Sequence, residues 1–594
     1  MIEQSFDGPS DSKALRPFLP LLLWLFFGSG CAALIYEIVW FQLLQLVIGS
    51  SAVSLGVLLG TYMGGMCLGS LFLPRIVSPR RHPLRIYALL EFGIGLLGIL
   101  ILFGMPQAAR IYSAHVGSGL PGILLRGLFA AVCLLPPTIL MGATLPAMAR
   151  WVETSPRGIS WLGFFYGGNI ASAVFGCLLA GFYLLRVHDA VAATYVAASL
   201  NGAVALIAFG LSILAPREPQ TEDQTAALFH GGPQESAIPA GKYRETGGGR
   251  TASLWPVYIT IALSGLTALG AEVVWTRLLS LLIGGTVYTF SIILAVFLFG
   301  LGIGSSIGSV LARKSSRPSI ALGGCQLLLA AAVAWTAVML AKSLPYWPID
   351  PALSQRPWVS FQLDLARCLW AILPATLLWG ASFPLALAAV AARGQDGGRL
   401  VGGIYAANTV GGILGGVGFS MVFIPLAGTQ QSQRLLIGLA ALSAFLMFAP
   451  LLWPWRKNNF SIALALRSAV MLAVLICVPA LLARNVSKVP GELVAYGRNM
   501  PTRLGEVDML FVGEGMNSSV AVSQLVNSEV RNFHVSGKVE ASSDPVDMRL
   551  QRMLGHLPAL IHPKPRSVLV VGCGAGVTAG SFTTYPGIEE IVIC

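Results

Sequence analysis

Thirteen apolar stretches dominate the first 484 residues, each long enough to cross a hydrocarbon layer of ~30 Å. They lie near 18–48, 52–73, 84–105, 122–149, 160–183 and 188–214, then near 254–283, 286–312, 319–342, 368–392, 400–425, 434–454 and 460–484. In lipid, every backbone N–H and C=O must find its partner inside the chain, so such stretches fold as helices. Only 11% of residues are charged and mean hydropathy is +0.74, against about 25% charged in a soluble domain. A disordered chain, a fibrous chain and a purely soluble enzyme are excluded. The first run begins at Phe18 and continues past Ile48, too long for a signal peptide, so it reads as a membrane helix. Seven cysteines (Cys31, Cys67, Cys133, Cys177, Cys325, Cys368 and Cys477) fall inside these runs, where Cys acts as a small apolar residue. No CxxC pair and no metal-ligand spacing occurs, and no metal is expected.

The runs repeat. SGCAALIYEIVWFQLLQLVIG (29–49) aligns without gaps on SGLTALGAEVVWTRLLSLLIG (264–284), matching Glu37 with Glu272 and Trp40 with Trp275. Gly65 and Gly69 match Gly300 and Gly304 at the same offset of 235. PPTILMGATLP (136–146) matches PATLLWGASFP (374–384), and Gly163, Tyr166 and Asn169 match Gly402, Tyr405 and Asn408. Three blocks in the same order point to two copies of a six-helix unit. Six is even, so both copies enter the membrane in the same direction, the parallel arrangement of major-facilitator halves.

Charge gives an orientation. Arg75, Arg80, Arg81, Arg85, Arg313, Lys314, Arg317, Arg150, Arg157, Arg393, Arg399, Arg456 and Lys457 occupy even-numbered loops. The polar stretch 215–253 adds Arg217, Lys242, Arg244 and Arg250 and reads as a flexible linker. The odd-numbered loops hold only Arg110, Arg186, Lys342, Arg356, Arg367 and Arg434. The positive-inside rule therefore puts the N-terminus, the linker and the even loops in the cytoplasm, with a bacterial inner membrane as the expected site. The net charge of +12, from 38 basic and 26 acidic residues, marks topology rather than a nucleic-acid partner. Segment 460–484 contains Arg467 and ends at Arg484; it reads either as a further span, which would put residues 485–594 outside, or as an interfacial helix.

Glu37 and Glu272 stand in mid-run, where a carboxylate is expensive and must face a cavity or a partner. They read as symmetry-related carboxylates on a cation or proton pathway, or as groups tying each helix to a neighbour, through the adjacent Trp for instance. Asn169 and Asn408 read as interhelical hydrogen-bonding residues amid close-packing glycines. Pro136, Pro146, Pro374 and Pro384 would kink or break helices near Thr138 and Thr376.

From about 485 the composition becomes soluble. MLFVGEG, SSVAVSQL and VRNFHVSGKVEAS read as strands, and a helix fits 546–556. SVLVV then reads as a buried parallel strand, Gly572-x-Gly574-x-Gly576 as the turn into a helix, and EEIVIC as a second strand. Such a turn lets backbone approach a nucleoside at the helix N-terminus.

The run GKVEAS … HLPALIHPKPRSVLVVGCGAGVTAG resembles the spermidine synthases, the polyamine aminopropyltransferases, and the whole chain resembles their multi-pass membrane version, a transporter-like region preceding a synthase-like domain. The resemblance implies transfer of an aminopropyl group from decarboxylated S-adenosylmethionine, as co-substrate, to putrescine or another amine. No prosthetic group is implied. It assigns Gly572, Gly574, Ala575, Gly576 and Glu540 to the adenosyl donor and Gln551 to the amine substrate. The motifs depart from the family pattern: Ser536 and Glu540 occupy the Asp and Gln places of DG-x-x-Q, Leu550, Gln551 and Arg552 the Tyr-His-Glu places, and Ala575 the place of an amine-holding Asp. The acidic residue expected after the second strand would follow Cys594, and catalytic residues are expected beyond it, so the domain reads as incomplete and inactive by itself.

The expected fold class is mainly α: a polytopic region of two parallel six-helix repeats, then a small β-domain and the start of a Rossmann-like, methyltransferase-like α/β domain. The divisions are 1–17, an N-terminal tail; 18–214, the first membrane repeat; 215–253, the linker; 254–454, the second repeat; 455–484, an extra membrane or interfacial helix; 485–545, the β-domain; and 546–594, the nucleoside-binding start. Expected partners are the lipid bilayer and a small-molecule amine, with homodimerisation left open. Two alternatives stand beside the transferase: a polyamine or cation transporter or sensor with a vestigial tail, and an S-adenosylmethionine-dependent methyltransferase-type enzyme.

Overall fold

The computed structural model describes residues 19–48, 51–77, 81–113, 120–152, 158–214, 254–347, 356–390, 397–452 and 462–594. The expected N-terminal tail and linker lie outside the described residues. Among those described, twelve helical stretches are long and apolar enough to cross a membrane. This is an integral multi-pass membrane protein, mainly helical, in contact with the lipid bilayer.

The first half holds α1 (Leu19–Ile48), α2 (Ser51–Ile76), α3 (Pro83–Ser113), α4 (Leu120–Val152), α5 (Gly158–Leu179) and α6 (Ala190–Leu214). The second holds α7 (Trp255–Ile283), α8 (Val287–Lys314), α9 (Pro318–Val338), α10 (Pro357–Val390), α11 (Gly397–Gly418) and α12 (Ile424–Leu452). Pro83, Pro318 and Pro357 open their helices, where the missing N–H costs nothing. The Thr286 hydroxyl caps α8 by accepting from Thr289 N at 3.3 Å.

Thirteen expected runs and twelve spanning stretches differ at one place. Gly403–Leu452 is a single helical stretch of 50 residues, about 75 Å at 1.5 Å per residue, more than one crossing requires. A π-helical turn at Phe419–Phe423 and a non-helical Gly428 (φ 74°, ψ 173°) divide it into α11 and α12. A second π turn, Ala180–Leu184, follows α5, 239 residues earlier.

Helix pairings run in parallel through the two halves. α1 packs on α5, α2 on α4 and α3 on α6; likewise α7 packs on α11, α8 on α10 and α9 on α12. The halves meet where α2 packs on α11 and α8 on α5. Small residues let these backbones approach: a Cβ added to Gly65 would collide with Thr138, and one on Gly300 with Thr376. The proline pairs do not break their helices, since α4 and α10 run continuously past them. Thr138 donates its hydroxyl to Leu134 O at 2.8 Å and Thr376 to Leu373 O at 2.9 Å, taking up carbonyls near the prolines.

α13 (Ile462–Arg484) packs along α12 and α9 and leads into the tail. There α14 (Gly491–Tyr496) and a 3-10 turn (Gly497–Thr502) lie under a four-stranded antiparallel sheet, β1 (Val507–Glu514), β2 (Ser519–Leu525), β3 (Arg531–Val535) and β4 (Lys538–Ser542), in chain order. The stretch expected as one β-rich run, VRNFHVSGKVEAS, is a hairpin. Ser536 (φ 48°) and Gly537 (φ 91°) turn it, since a two-residue hairpin loop of this kind needs left-handed backbone twice. α15 (Pro545–Ile561) starts where Asp544 accepts from Val546 N at 2.9 Å and extends five residues past the expected end; within it, Gly555 lets the helix approach Ser581 and the Thr578 carbonyl. β5 (Ser567–Val570) and β6 (Glu590–Ile593) form a parallel pair, with α16 (Val577–Phe582) between them in sequence. One apolar core runs from Trp40 and Trp275 in the membrane region to Leu493, Met500 and Ala521 in the tail.

Candidate functional site

The glycine loop lies between β5 and α16. Gly572, Gly574 and Gly576 all have positive φ (85°, 53° and 79°), and nothing lies within 4 Å of a Cβ built on any of them. The loop is thus open above a left-handed backbone that only glycine adopts cheaply. Gly572 N donates to Cys594 O at 2.7 Å and Gly576 N to Cys573 O at 2.9 Å, closing the turn. Ala575 is exposed within it. Glu540 is exposed on β4. Gln551 is committed locally: its side-chain amide Nε2 donates to Ser542 O at 3.0 Å, while its backbone carbonyl accepts from Thr578 Oγ1 at 2.9 Å. It therefore ties α15 to β4 and α16. Among the described residues no three or more His, Cys, Asp or Glu gather as a metal site.

The β-domain is bolted to the second membrane half. Arg277 on α7 donates to Gly515 O at 2.7 Å and to Met516 O at 3.1 Å. Glu514 accepts from Thr429 N at 2.7 Å and from Thr429 Oγ1 at 2.9 Å. Arg498 donates to Ile283 O at 3.2 Å and pairs with Asp364, which also faces Arg367 at 3.5 Å. Arg367 is fully buried, so this carboxylate offsets charge that would otherwise stand alone. The hairpin tip is held too: Gly537 N donates to Val494 O at 2.8 Å, and both Gly497 and Gly537 approach Leu281 O. Within the sheet, His534 is buried with Ser523 Oγ 2.8 Å from its Nε2, and burial lowers its pKa below the ordinary value.

A cavity of about 480 Å³ lies between this docked sheet and both membrane halves. Its apolar wall includes Phe41, Leu55 and Phe290; its polar wall includes Gln45, Arg277 and Ser536. Thr276 Oγ1 and Arg277 Nε are buried there without a hydrogen-bond partner among the described residues.

Glu37 and Glu272 lie one helical turn deeper than Phe41 and Thr276 and are almost fully buried. They interact electrostatically with each other and with Cys177, so the two halves bring them into one neighbourhood. The tie through tryptophan does not form at Glu272: its Oε1 and Trp275 Nε1 are both without hydrogen bonds among the described residues. Trp275 instead packs on Trp379 at 5.5 Å between ring centres. Asn169 is approached closely by Gly30 and Asn408 by Gly265, the same pairing in each half.

Sequence reasoning passed over a third buried carboxylate. Glu91 on α3 is fully buried and accepts from Ser29 Oγ and from Asn201 Nδ2, each at 2.6 Å. Its acidic letter inside an apolar run was the available signal. It lacks an acidic twin, because Gln326 stands 235 residues later and donates to Ser382 Oγ at 2.8 Å. The docking residues had no comparable signal, since each is ordinary until its partner is known.

No protein-family model matches the chain. Polyamine aminopropyltransferase 2 of Streptomyces coelicolor is 28% identical over 329 residues, covering 54% of this chain and 54% of that protein. The polyamine aminopropyltransferase of Leptospira interrogans is 23% identical over 341 residues, 57% of this chain and 61% of the relative. That of Streptococcus pneumoniae is 43% identical over 51 residues, 9% of this chain and 18% of the relative. Among solved structures, a bacterial homologue of the human lysosomal transporter Spinster aligns with TM-score 0.44 at 14% identity, over 81% of this chain and 98% of that one. The nucleoside transporter NupG aligns with TM-score 0.44 at 12% identity, over 73% and 99%. The chain spans about half the length of the first relative it matches. It is a multi-pass membrane region joined to a synthase-like tail, homologous to polyamine aminopropyltransferases over just more than half its length.

Proposed function

We propose that the synthase-like tail serves aminopropyl transfer from decarboxylated S-adenosylmethionine to putrescine or another amine, in a protein of the bacterial inner membrane with a cytoplasmic N-terminus. The observation that carries this reading is the homology to polyamine aminopropyltransferases. In the reaction, the nitrogen of a deprotonated amine attacks the carbon beside the sulfonium in line. A C–N bond forms, the C–S bond breaks, a neutral thioether leaves and the amine sheds a proton; positioning and proton removal are what a protein contributes. The open left-handed loop at Gly572, Gly574, Ala575 and Gly576 is the proposed donor cradle, the beginning of a Rossmann-like domain over 546–594. Glu540, exposed on β4, is the proposed acidic contact on the donor side, and Gln551 is the proposed amine-side residue, its side chain resting on Ser542 O of β4. The β-domain is assigned to 485–545, and α13 to an additional span within 455–484.

We further assign the membrane region, 18–214 and 254–454, to two parallel six-helix copies. The matched pairings support this, as do two of the three π turns among the described residues, which lie 239 residues apart. The full-length protein in nanodiscs, carrying whatever sequence its reading frame adds to these residues, is expected to give labelled polyamine from donor labelled in the aminopropyl group and a panel of amines. Hydrolysed or unchanged donor alone with every amine would sink the transferase reading.

A second reading rests on the burial of Glu37 and Glu272 at matched places within the membrane region: a cation or polyamine transporter whose carboxylates face the translocated charge. Proteoliposomes bearing Glu37→Gln or Glu272→Gln should then lose amine uptake, and unchanged uptake in both would remove it.

A further inference from the structure

We infer that the synthase-like tail sits on the non-cytoplasmic face of the membrane, clamped over the outward ends of the second membrane half. Every docking contact falls on one set of helix ends. Arg277 and Ile283 lie toward the end of α7, Asp364 in the first turns of α10, and Thr429 at the start of α12. The arginine- and lysine-rich loops lie at the opposite ends. α8 leaves the docking face at Val287 and, about 42 Å later at 1.5 Å per residue, reaches Arg313, Lys314 and Arg317. In the sequence, Arg456 and Lys457 follow the last residue of α12, Leu452.

α13 carries the chain back from that basic end. It spans 23 residues, about 34 Å and so one bilayer. It runs antiparallel to α12: Arg434 Nε, near the start of α12, donates to Ala483 O at 3.1 Å, and Gln430 Nε2 donates to Val486 O at 2.8 Å. An interfacial helix would carry a strongly charged face, whereas the outer side of α13 shows Ile462, Leu466, Val470 and Leu481, all more than half exposed. Two of the six basic residues assigned to the outward loops, Arg367 and Arg434, are engaged at this docking face, pairing with Asp364 and holding α13. Residues 485–594 hold nine basic and ten acidic side chains, so the tail itself exerts little orienting pull. The parity of the helices and the position of the dock give the same side.

The consequence is chemical. Donor and amine would have to meet the glycine loop outside the cytoplasm, so a transport step must supply them. The cavity under Ser536 opens at this boundary, between the tail and both membrane halves. The inference rests on orientation and not on the aminopropyl reading, so either can fail alone.

Cys573 and Cys594 are exposed and free in the tail, while Cys31, Cys177 and Cys368 are buried among membrane helices. Spheroplasts making the full chain are treated with a membrane-impermeant maleimide. Labelling without permeabilisation, lost in the Cys573→Ser/Cys594→Ser double variant, is expected. A Ser316→Cys substitution placed in that double variant, at the exposed basic turn after α8, should label only after permeabilisation. Tail labelling that requires permeabilisation would overturn the inference. Protease added outside is the second readout: shaving of the tail from spheroplasts supports it, and shaving confined to inside-out vesicles overturns it.

Discussion

In the first membrane half, Asp189 Oδ1 caps α6 by accepting from Ala192 N at 2.8 Å. At the matching position in the second half, 239 residues on, stands Gly428, which has no side chain to do this. The carboxylate there comes from the tail, where Glu514 accepts from Thr429 N at 2.7 Å. One half closes its own helix and the other borrows its cap from the docked domain. The same substitution of roles recurs elsewhere. Glu91 with Ser29 and Asn201 occupies the place of Gln326 with Ser382. Between the halves, Gly56 abuts Ser420 while Ser291 abuts Gly181, the same small pair exchanged across the junction. The matched places thus carry different polar inventories, with the carboxylates of Glu91, Asp189 and Glu514 each accepting a hydrogen bond, and the asymmetry marks the half that holds the tail.

The largest effect should come from the buried charges of the dock. Asp364→Ala leaves Arg367 and Arg498 without their carboxylate, at a cost on the order of 3–5 kcal/mol. Limited proteolysis near residues 485–490 should then release the tail; an intact dock would show that the second half does not depend on this cluster. Next come the exchanged small pairs. Gly56→Ser puts two hydroxymethyl groups in one space, costing roughly 1–3 kcal/mol, and Ser420→Gly in the same chain should restore the melting temperature. Additive losses would break the exchange argument. Glu514→Ala should cost about 1 kcal/mol as a lost cap and loosen the tail, whereas Asp189→Ala should cost the same and leave tail proteolysis unchanged. Equal release by both would erase the distinction between the halves.

The smallest effect is pH-dependent. Burial lowers the His534 pKa, so folding favours the neutral ring. Its contribution is full above the unfolded value of about 6.5 and is lost as pH falls from there toward the lowered folded value. Melting of the tail between pH 7.5 and 5 should show this decline, and His534→Gln should flatten it; an unchanged slope would clear His534 of the role.

How much was legible depends on physical range. The apolar runs, the matched blocks and the mid-run Glu37 and Glu272 could be read because each signal is local or repeats in register. The unbroken helices at Pro136 and Pro374 needed the neighbouring Thr138 and Thr376 hydroxyls to be seen. Ser536-Gly537 was read as a motif position, and its hairpin geometry emerged from the backbone.

Sequence alone determined that this chain enters a membrane, how many times to within one division at Gly428, and which of its loops carry the positive charge. Those properties depend on transfer of side chains and backbone into lipid, which composition and spacing report directly. Tertiary structure decided where the tail sits and what holds it. Arg277 meets residues 515–516, Asp364 meets Arg498 and Thr429 meets Glu514 across separations of 238, 134 and 85 residues. A hydrogen bond acts over about 3 Å whatever the distance along the chain, so only folding reveals which polar groups have found each other.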